Sequence, residues 1–173
     1  MRASGIYAEL LTLAGASCPY FPWGEIYGAL EKGTIDGVCC GGNVGVLCDS
    51  GFHEPCQYFL ETPISPSDAW CLQVNLDAWN SLPPDLQKLL YQSAWYAEDI
   101  FTASYFWHGY DWERRLVDEY DYTVTTLPLE EQAILRGYSM EVLEKYAAED
   151  PVYFGKAFEA LKEYMRLRGL LEE

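Results

Sequence analysis

Six cysteines, two histidines and an excess of carboxylates are the side chains of this 173-residue chain that could do covalent or metal chemistry. The cysteines are Cys18, Cys39, Cys40, Cys48, Cys56 and Cys71, all in the first half. His53 precedes Cys56 at a spacing that could begin a zinc corner. No C-x-x-C pair completes it, and adjacent Cys39 and Cys40 cannot easily share one structural metal. Asp36, His53 and Cys48 could be drawn as a thiol site, but nothing in their spacing requires one. The expectation is free, mostly buried thiols. A disulfide stays open if the protein is exported, and the sequence selects no pairing. The chain has no Gly-x-Ser-x-Gly elbow, no P-loop and no dinucleotide fingerprint. Neither a catalytic role nor a cofactor is therefore expected.

The charge balance is 11 basic against 27 acidic residues, a net of −16. Nucleic-acid binding needs a basic face, and this chain has no basic stripe. Lys162, Arg166 and Arg168 read as helix C-terminal charges favoured by the dipole. Arg114 and Arg115 are flanked by acids. Half the residues are apolar, so one sizeable core can form. No apolar run is long enough to span a bilayer, and the N-terminus does not read as a signal peptide.

The elements that must position these groups follow from periodicity and breakers. A helix is expected over about Ser4 to Ala14, stopped by Gly15, and then a short extended piece from Ala16 to Tyr20. Pro22 should open a second helix at its first turn, ending at Gly33. Thr34 to Cys39 reads as a short strand, and a parallel α/β unit is implied. Gly41 and Gly42 mark a turn beyond it, where an open α/β sheet places its ligand crevice. A short helix is expected over Asn43 to Ser50, with strands at Gln57 to Leu60 and Ala69 to Val74. The stretch from Thr62 to Ser67 is a loop by composition. Leu76 to Leu82 reads as a short helix. A very long one follows from Asp85 to about Tyr120, with apolar residues at helical spacing. It should either bridge two lobes or kink near Gly109. Tyr122 to Leu127 reads as a strand. Pro128 opens another helix, Asp150-Pro151 breaks it, and a last helix runs to about Leu167.

Four stretches together resemble the tripartite ATP-independent periplasmic (TRAP) transporter solute-binding family. Met1-Arg2-Ala3-Ser4-Gly5 is similar to the end of the family strand that carries its signature arginine. Pro22-Trp23-Gly24-Glu25-Ile26-Tyr27-Gly28-Ala29-Leu30 with Gly33-Thr34-Ile35-Asp36-Gly37 looks like its helix–turn–strand block. Gly51-Phe52-His53-Glu54 with Tyr58-Phe59 is similar to its return segment. Val74-Asn75, Ala78-Trp79 and Leu82-Pro83 resemble the start of its long helix. The resemblance implies an α/β fold of periplasmic-binding-protein type, with a short mixed sheet, a long lobe-crossing helix and C-terminal helices. It identifies the chain with the C-terminal half, the N-terminal part of the family fold being absent. Residues 1–40 and about 110–173 would lie mainly in one lobe and about 41–84 in the other, with about 85–120 as the bridging helix. The full-length protein would be periplasmic. This chain, without a leader, would stay in the cytoplasm.

The resemblance also implies a site. Family ligands are commonly small organic acids, and Arg2 matches the carboxylate-clamping arginine. Only arginine offers a planar, permanently charged fork. The competing reading is a poorly held, solvated terminal side chain. Many relatives carry Glu-Trp where this chain has Cys39-Cys40, and a position often Glu or Gln falls near Ser65. Thiols and a hydroxyl suit hard cations badly, so no tight metal site is expected. Cys39 and Cys40 either line the cleft or are simply buried. Asp68 and Trp70 are secondary candidates. Trp23, near Tyr27, is either a ligand contact or core. Trp107, His108, Tyr110 and Trp112 read as an aromatic seam between the long helix and the lobes, with His108 at its rim.

The implied function is solute binding for uptake of an organic acid, with TRAP membrane permease subunits as partners. Two rivals stand beside it. One is a non-binding remnant that self-associates through exposed edges. The other is a small thiol- or metal-dependent protein using the Cys-rich half.

Overall fold

The structure, a computed structural model, describes residues 1–39, 43–64 and 71–171. The chain divides into two compact units, Met1–Cys40 with Thr126–Glu173, and Gly41–Thr125.

In the first unit, Gly5 turns the chain into helix α1 (Ile6–Leu13) at φ 57°, a backbone state that side chains with a Cβ disfavour. Pro22 sits just before a 3₁₀ turn (Trp23–Glu25) that leads into α2 (Ile26–Glu31), rather than inside the first helical turn. Both helices close in the same way. Gly15 and Gly33 take positive φ, and the next amides reach back to Leu11 O and Ala29 O at 2.9 and 2.8 Å. After Gly33 the chain does not form the expected strand. Thr34 to Cys39 contributes only one parallel bridge, between Arg2 and Val38. The partner is too short to extend it, because Ser4-Gly5 turns away at once into α1.

Helix α6 (Leu129–Glu149) packs on α1 and on α7 (Phe154–Leu167). Leu10, Leu11, Val142, Phe158 and Met165 are buried along these helices. Phe158 and Met165, two turns apart, mark the inward face of α7. Glu9 on α1 joins α6 at its edge, accepting from Lys145 Nζ and from the Tyr146 hydroxyl, both at 2.8 Å. The Asp150-Pro151 break is held by the Asp150 carboxylate, which accepts from the amides of Val152 and Tyr153 at 3.2 and 3.1 Å.

The second unit is built around α5 (Pro84–Asp118), a continuous 35-residue helix. Short α3 (Val44–Asp49) lies on it, capped by Asn43, whose side-chain oxygen accepts from Gly45 N at 3.0 Å. Helix α4 (Leu76–Ser81) is capped likewise by Asn75. Strands β1 (Tyr58–Leu60) and β2 (Thr123–Thr125) pair in parallel, Tyr58 opposite Thr123. The described part of the other expected strand, Cys71 to Val74, is irregular, while Ala69 and Trp70 lie outside the described residues.

The face of α5 toward α3 reads Tyr105, His108, Gly109, Trp112, Leu116, a helical stripe. Asn43 donates through its amide N–H to the Tyr105 hydroxyl and through Nδ2 to the Tyr105 carbonyl. Asp49 accepts from Trp112 Nε1 at 3.2 Å and meets His108 Nε2 at 2.8 Å. Val44, Cys48, Trp112, Leu116 and Tyr122 form the core of this unit, with Cys56 and Phe59 against it. The expected aromatic seam is therefore split. Trp112 is 8% exposed, but Trp107 is 75% exposed and Tyr110 is also exposed, because their positions fall off the stripe.

Gly109 is on this stripe because Asn43 leaves no room for a Cβ, which would lie 2.5 Å from Asn43 Nδ2. Gly109→Ala should therefore lower stability by about 2 kcal/mol, although alanine in a free helix is better by about 1 kcal/mol. Urea denaturation checks this, and an unchanged or raised midpoint would contradict it.

Candidate functional site

Arg2 is held from both sides of its backbone. Its N–H donates to Gly37 O at 2.7 Å, and its carbonyl accepts from Cys39 N at 2.8 Å. Its neighbour Ala3 is buried, and the Met1 nitrogen reaches Ser17 O at 2.9 Å. The residue is 8% exposed, so it is not the frayed terminal side chain that its position in the sequence allows.

The guanidinium is held by neutral groups. Nε donates to the Phe21 carbonyl at 3.3 Å, and Cζ lies over the rings of Tyr20 and Trp23, 5.9 Å from each centroid. Among the described residues no carboxylate lies within ion-pair distance of it, although the protein carries 27 acidic residues. A cation drawn largely out of water without a counter-charge is costly. The only sealed-off side-chain nitrogen or oxygen without a partner among the described residues is His53 Nδ1, so the outer N–H groups of Arg2 are not enclosed. A guanidinium whose terminal N–H groups are not sealed off can meet an anion with two coplanar oxygens.

Cys39 follows on the segment paired with Arg2 and is half-buried. Its thiol is pushed up by burial and by Cys18 nearby, against a smaller opposing effect of Arg2. A neutral thiol is a poor donor to a hard cation, so this position does not fit calcium or sodium. Trp23 meets Arg2 rather than the core and is 43% exposed. Cys40, Ser65 and Asp68, with Trp70, lie outside the described residues. Sequence reasoning missed Tyr20, which sits in an irregular segment where no periodicity marks it.

The thiol and metal reading rests on His53 and the cysteines. Among the described residues no three His, Cys, Asp or Glu side chains converge to hold a metal. His53 instead lies against Trp112 and Tyr120, ring centroids 4.9 and 4.8 Å away. Cys48 is pushed up to about 12, first by burial and then by Asp49, with Arg115 opposing. Such a thiol stays protonated and is no nucleophile. It also sets a pH dependence. The unfolded thiol ionises near its ordinary 9.0 while the folded one holds its proton, so stability is full below that pH and falls as pH rises toward about 12. The buried Tyr122 hydroxyl is raised too, with the same sign. The melting temperature should thus drop between these limits, and Cys48→Ala should flatten the drop. A flat wild-type profile would contradict this.

The comparisons with known proteins decide the family. Residues 1–150 match the model of the bacterial extracellular solute-binding protein, family 7. The chain belongs to that family. It is a family of binding proteins for transport, not of enzymes, and it includes the TRAP solute-binding proteins that the sequence resembles. A TRAP periplasmic solute-binding protein from Colwellia psychrerythraea, solved with bound calcium and pyruvate, is 29% identical with a TM-score of 0.75. The match covers 98% of this chain and 52% of that one. Another, from Pseudoalteromonas atlantica with bound sodium and pyruvate, is 28% identical with a TM-score of 0.71, covering 96% and 51%. A monocarboxylate 2-oxoacid-binding periplasmic protein of Nostoc sp. is 33% identical over 92 residues, 51% of this chain and 24% of the relative. The chain thus spans about half the length of the family 7 structures it matches. Its mostly helical architecture with a small parallel sheet agrees with a partial α/β lobe of that fold.

Proposed function

We propose that this chain provides the carboxylate-binding part of a solute-binding protein that captures a small organic acid, a 2-oxo monocarboxylate such as pyruvate, for a TRAP-type permease. The observation that carries the reading is Arg2, buried to 8% exposure with no carboxylate partner among the described residues. Relatives at 28–29% identity that hold pyruvate support the choice of acid. Arg2 clamps the ligand carboxylate, and Trp23 and Cys39 stand beside it. By resemblance to the family, Cys40, Ser65 and Asp68 are the remaining candidate ligand-contact residues. In the complete protein the ligand shifts an open–closed equilibrium toward the closed form, which docks on the permease in the periplasm.

A ligand that binds only the folded state raises its melting temperature. At about a hundred times Kd, pyruvate should raise it by about 5 °C or more. The effect should not depend on calcium or sodium, because the position beside the clamp is a neutral thiol. No shift with any small mono- or dicarboxylate, on a cooperative melt, would overturn the reading for this chain.

One observation favours a second reading. Trp95, Tyr96, Phe106 and Trp107 on α5 are each more than half exposed. An apolar face of that kind favours association of the chain with itself over solute binding. Size measurement in solution separates the two, and a clean monomer removes the second.

A further inference from the structure

Tyr20 and Trp23 do more than border the site. We infer that these two aromatic side chains are positioning residues that hold the Arg2 guanidinium aimed outward before any ligand arrives. The inference rests on the proposed carboxylate role of Arg2 for its purpose, but its geometry stands apart from that role.

The guanidinium lies over both ring faces at the same distance, 5.9 Å to each centroid. That is within the range where the ring quadrupole attracts a cation, and arginine also stacks flat on such faces. The Phe21 carbonyl, between the two aromatics in sequence, takes the inner N–H of the same group at 3.3 Å. Three groups of the Tyr20–Trp23 segment therefore contact the guanidinium. A long side chain with four rotatable bonds would otherwise fold back or sample many rotamers, and fixing it on binding would weaken affinity. A carboxylate in place of the rings would hold it as well, but would also neutralise it and compete with the ligand. Two aromatic faces hold the cation and leave its charge available. Their exposure fits this role. Tyr20 is 72% exposed and Trp23 43% exposed, both large for residues that merely fill a core.

The Arg2 Nε–H proton reports this arrangement directly in nitrogen-resolved NMR, with the signal assigned by its loss in Arg2→Lys. In the wild type it should be shifted upfield by the rings and protected from water exchange. Trp23→Leu combined with Tyr20→Leu keeps apolar bulk but removes the faces. That pair should move the signal to the position of surface arginines and speed its exchange about tenfold. Trp23→Phe with Tyr20→Phe should restore both, which a merely structural role would not require. An unchanged signal in the leucine pair would overturn the inference. Pyruvate added to the same samples tests the clamp separately. Movement of the wild-type signal on titration, with a Kd about tenfold weaker in the leucine pair, is expected. A signal that responds to the rings but not to pyruvate would keep the positioning role and sink the carboxylate reading.

Discussion

Arg2→Ala should abolish binding of small carboxylates, weakening it by at least about a hundredfold, the scale expected for removing one partner of a desolvated, hydrogen-bonded charge pair. The reason lies in the geometry of the fork. A guanidinium presents two parallel N–H groups to two carboxylate oxygens, and the aromatic faces and the Phe21 carbonyl already hold its inner side. Arg2→Lys keeps the charge but not the fork, so it should fall between wild type and alanine. Stability should move the other way. Because the cation is largely buried and lacks a carboxylate partner among the described residues, Arg2→Met should melt no lower than wild type. Calorimetric titration with pyruvate, and a melt of each variant, check both halves. An Arg2→Ala variant that binds normally would refute the clamp. An Arg2→Met variant that melts far lower would show that the arginine has a structural role instead.

Leu116→Ala should be the most damaging change in the second unit, lowering stability by about 3 kcal/mol. Leu116 is among the largest fully buried side chains, 1% exposed, in a core with Trp112, Tyr122, Val44 and Cys48. Truncation leaves a cavity that the ring systems cannot fill without leaving their hydrogen bonds. Tyr122 is tied to the His53 carbonyl at 3.1 Å and Trp112 to Asp49 at 3.2 Å. Denaturant unfolding followed by tryptophan fluorescence measures this, since Trp112 reports from the same core. A loss below about 1 kcal/mol would mean that the core collapses around the gap.

Much of this architecture is legible in the sequence where the signal is local. Asn43 caps α3, Gly15 and Gly33 close their helices, Pro128 precedes α6, and Asp150-Pro151 separates α6 from α7. These are effects of one residue on its own backbone. The failures are all non-local. Thr34 to Cys39 has strand composition, yet a strand is defined by its partner, and Arg2 offers one bridge before the chain turns away. Trp107, Tyr110 and Trp112 look alike in sequence, but only the residue in phase with Tyr105, Gly109 and Leu116 turns inward. The site divides in the same manner. Arg2 and Trp23 are singled out through resemblance to the family, whereas Tyr20 meets Arg2 only because the 16–23 segment folds back over the arginine. The buried state of the arginine follows from backbone pairing across the chain, which no local pattern records.

The central claim is that Arg2 recognises a carboxylate, and its most direct test is a calorimetric titration of this chain with pyruvate beside methyl pyruvate. The ester keeps the ketone and the size but lacks the anionic pair of oxygens. Saturable binding of pyruvate with none of the ester is predicted. Equal binding of the two, or binding of neither, would contradict the account.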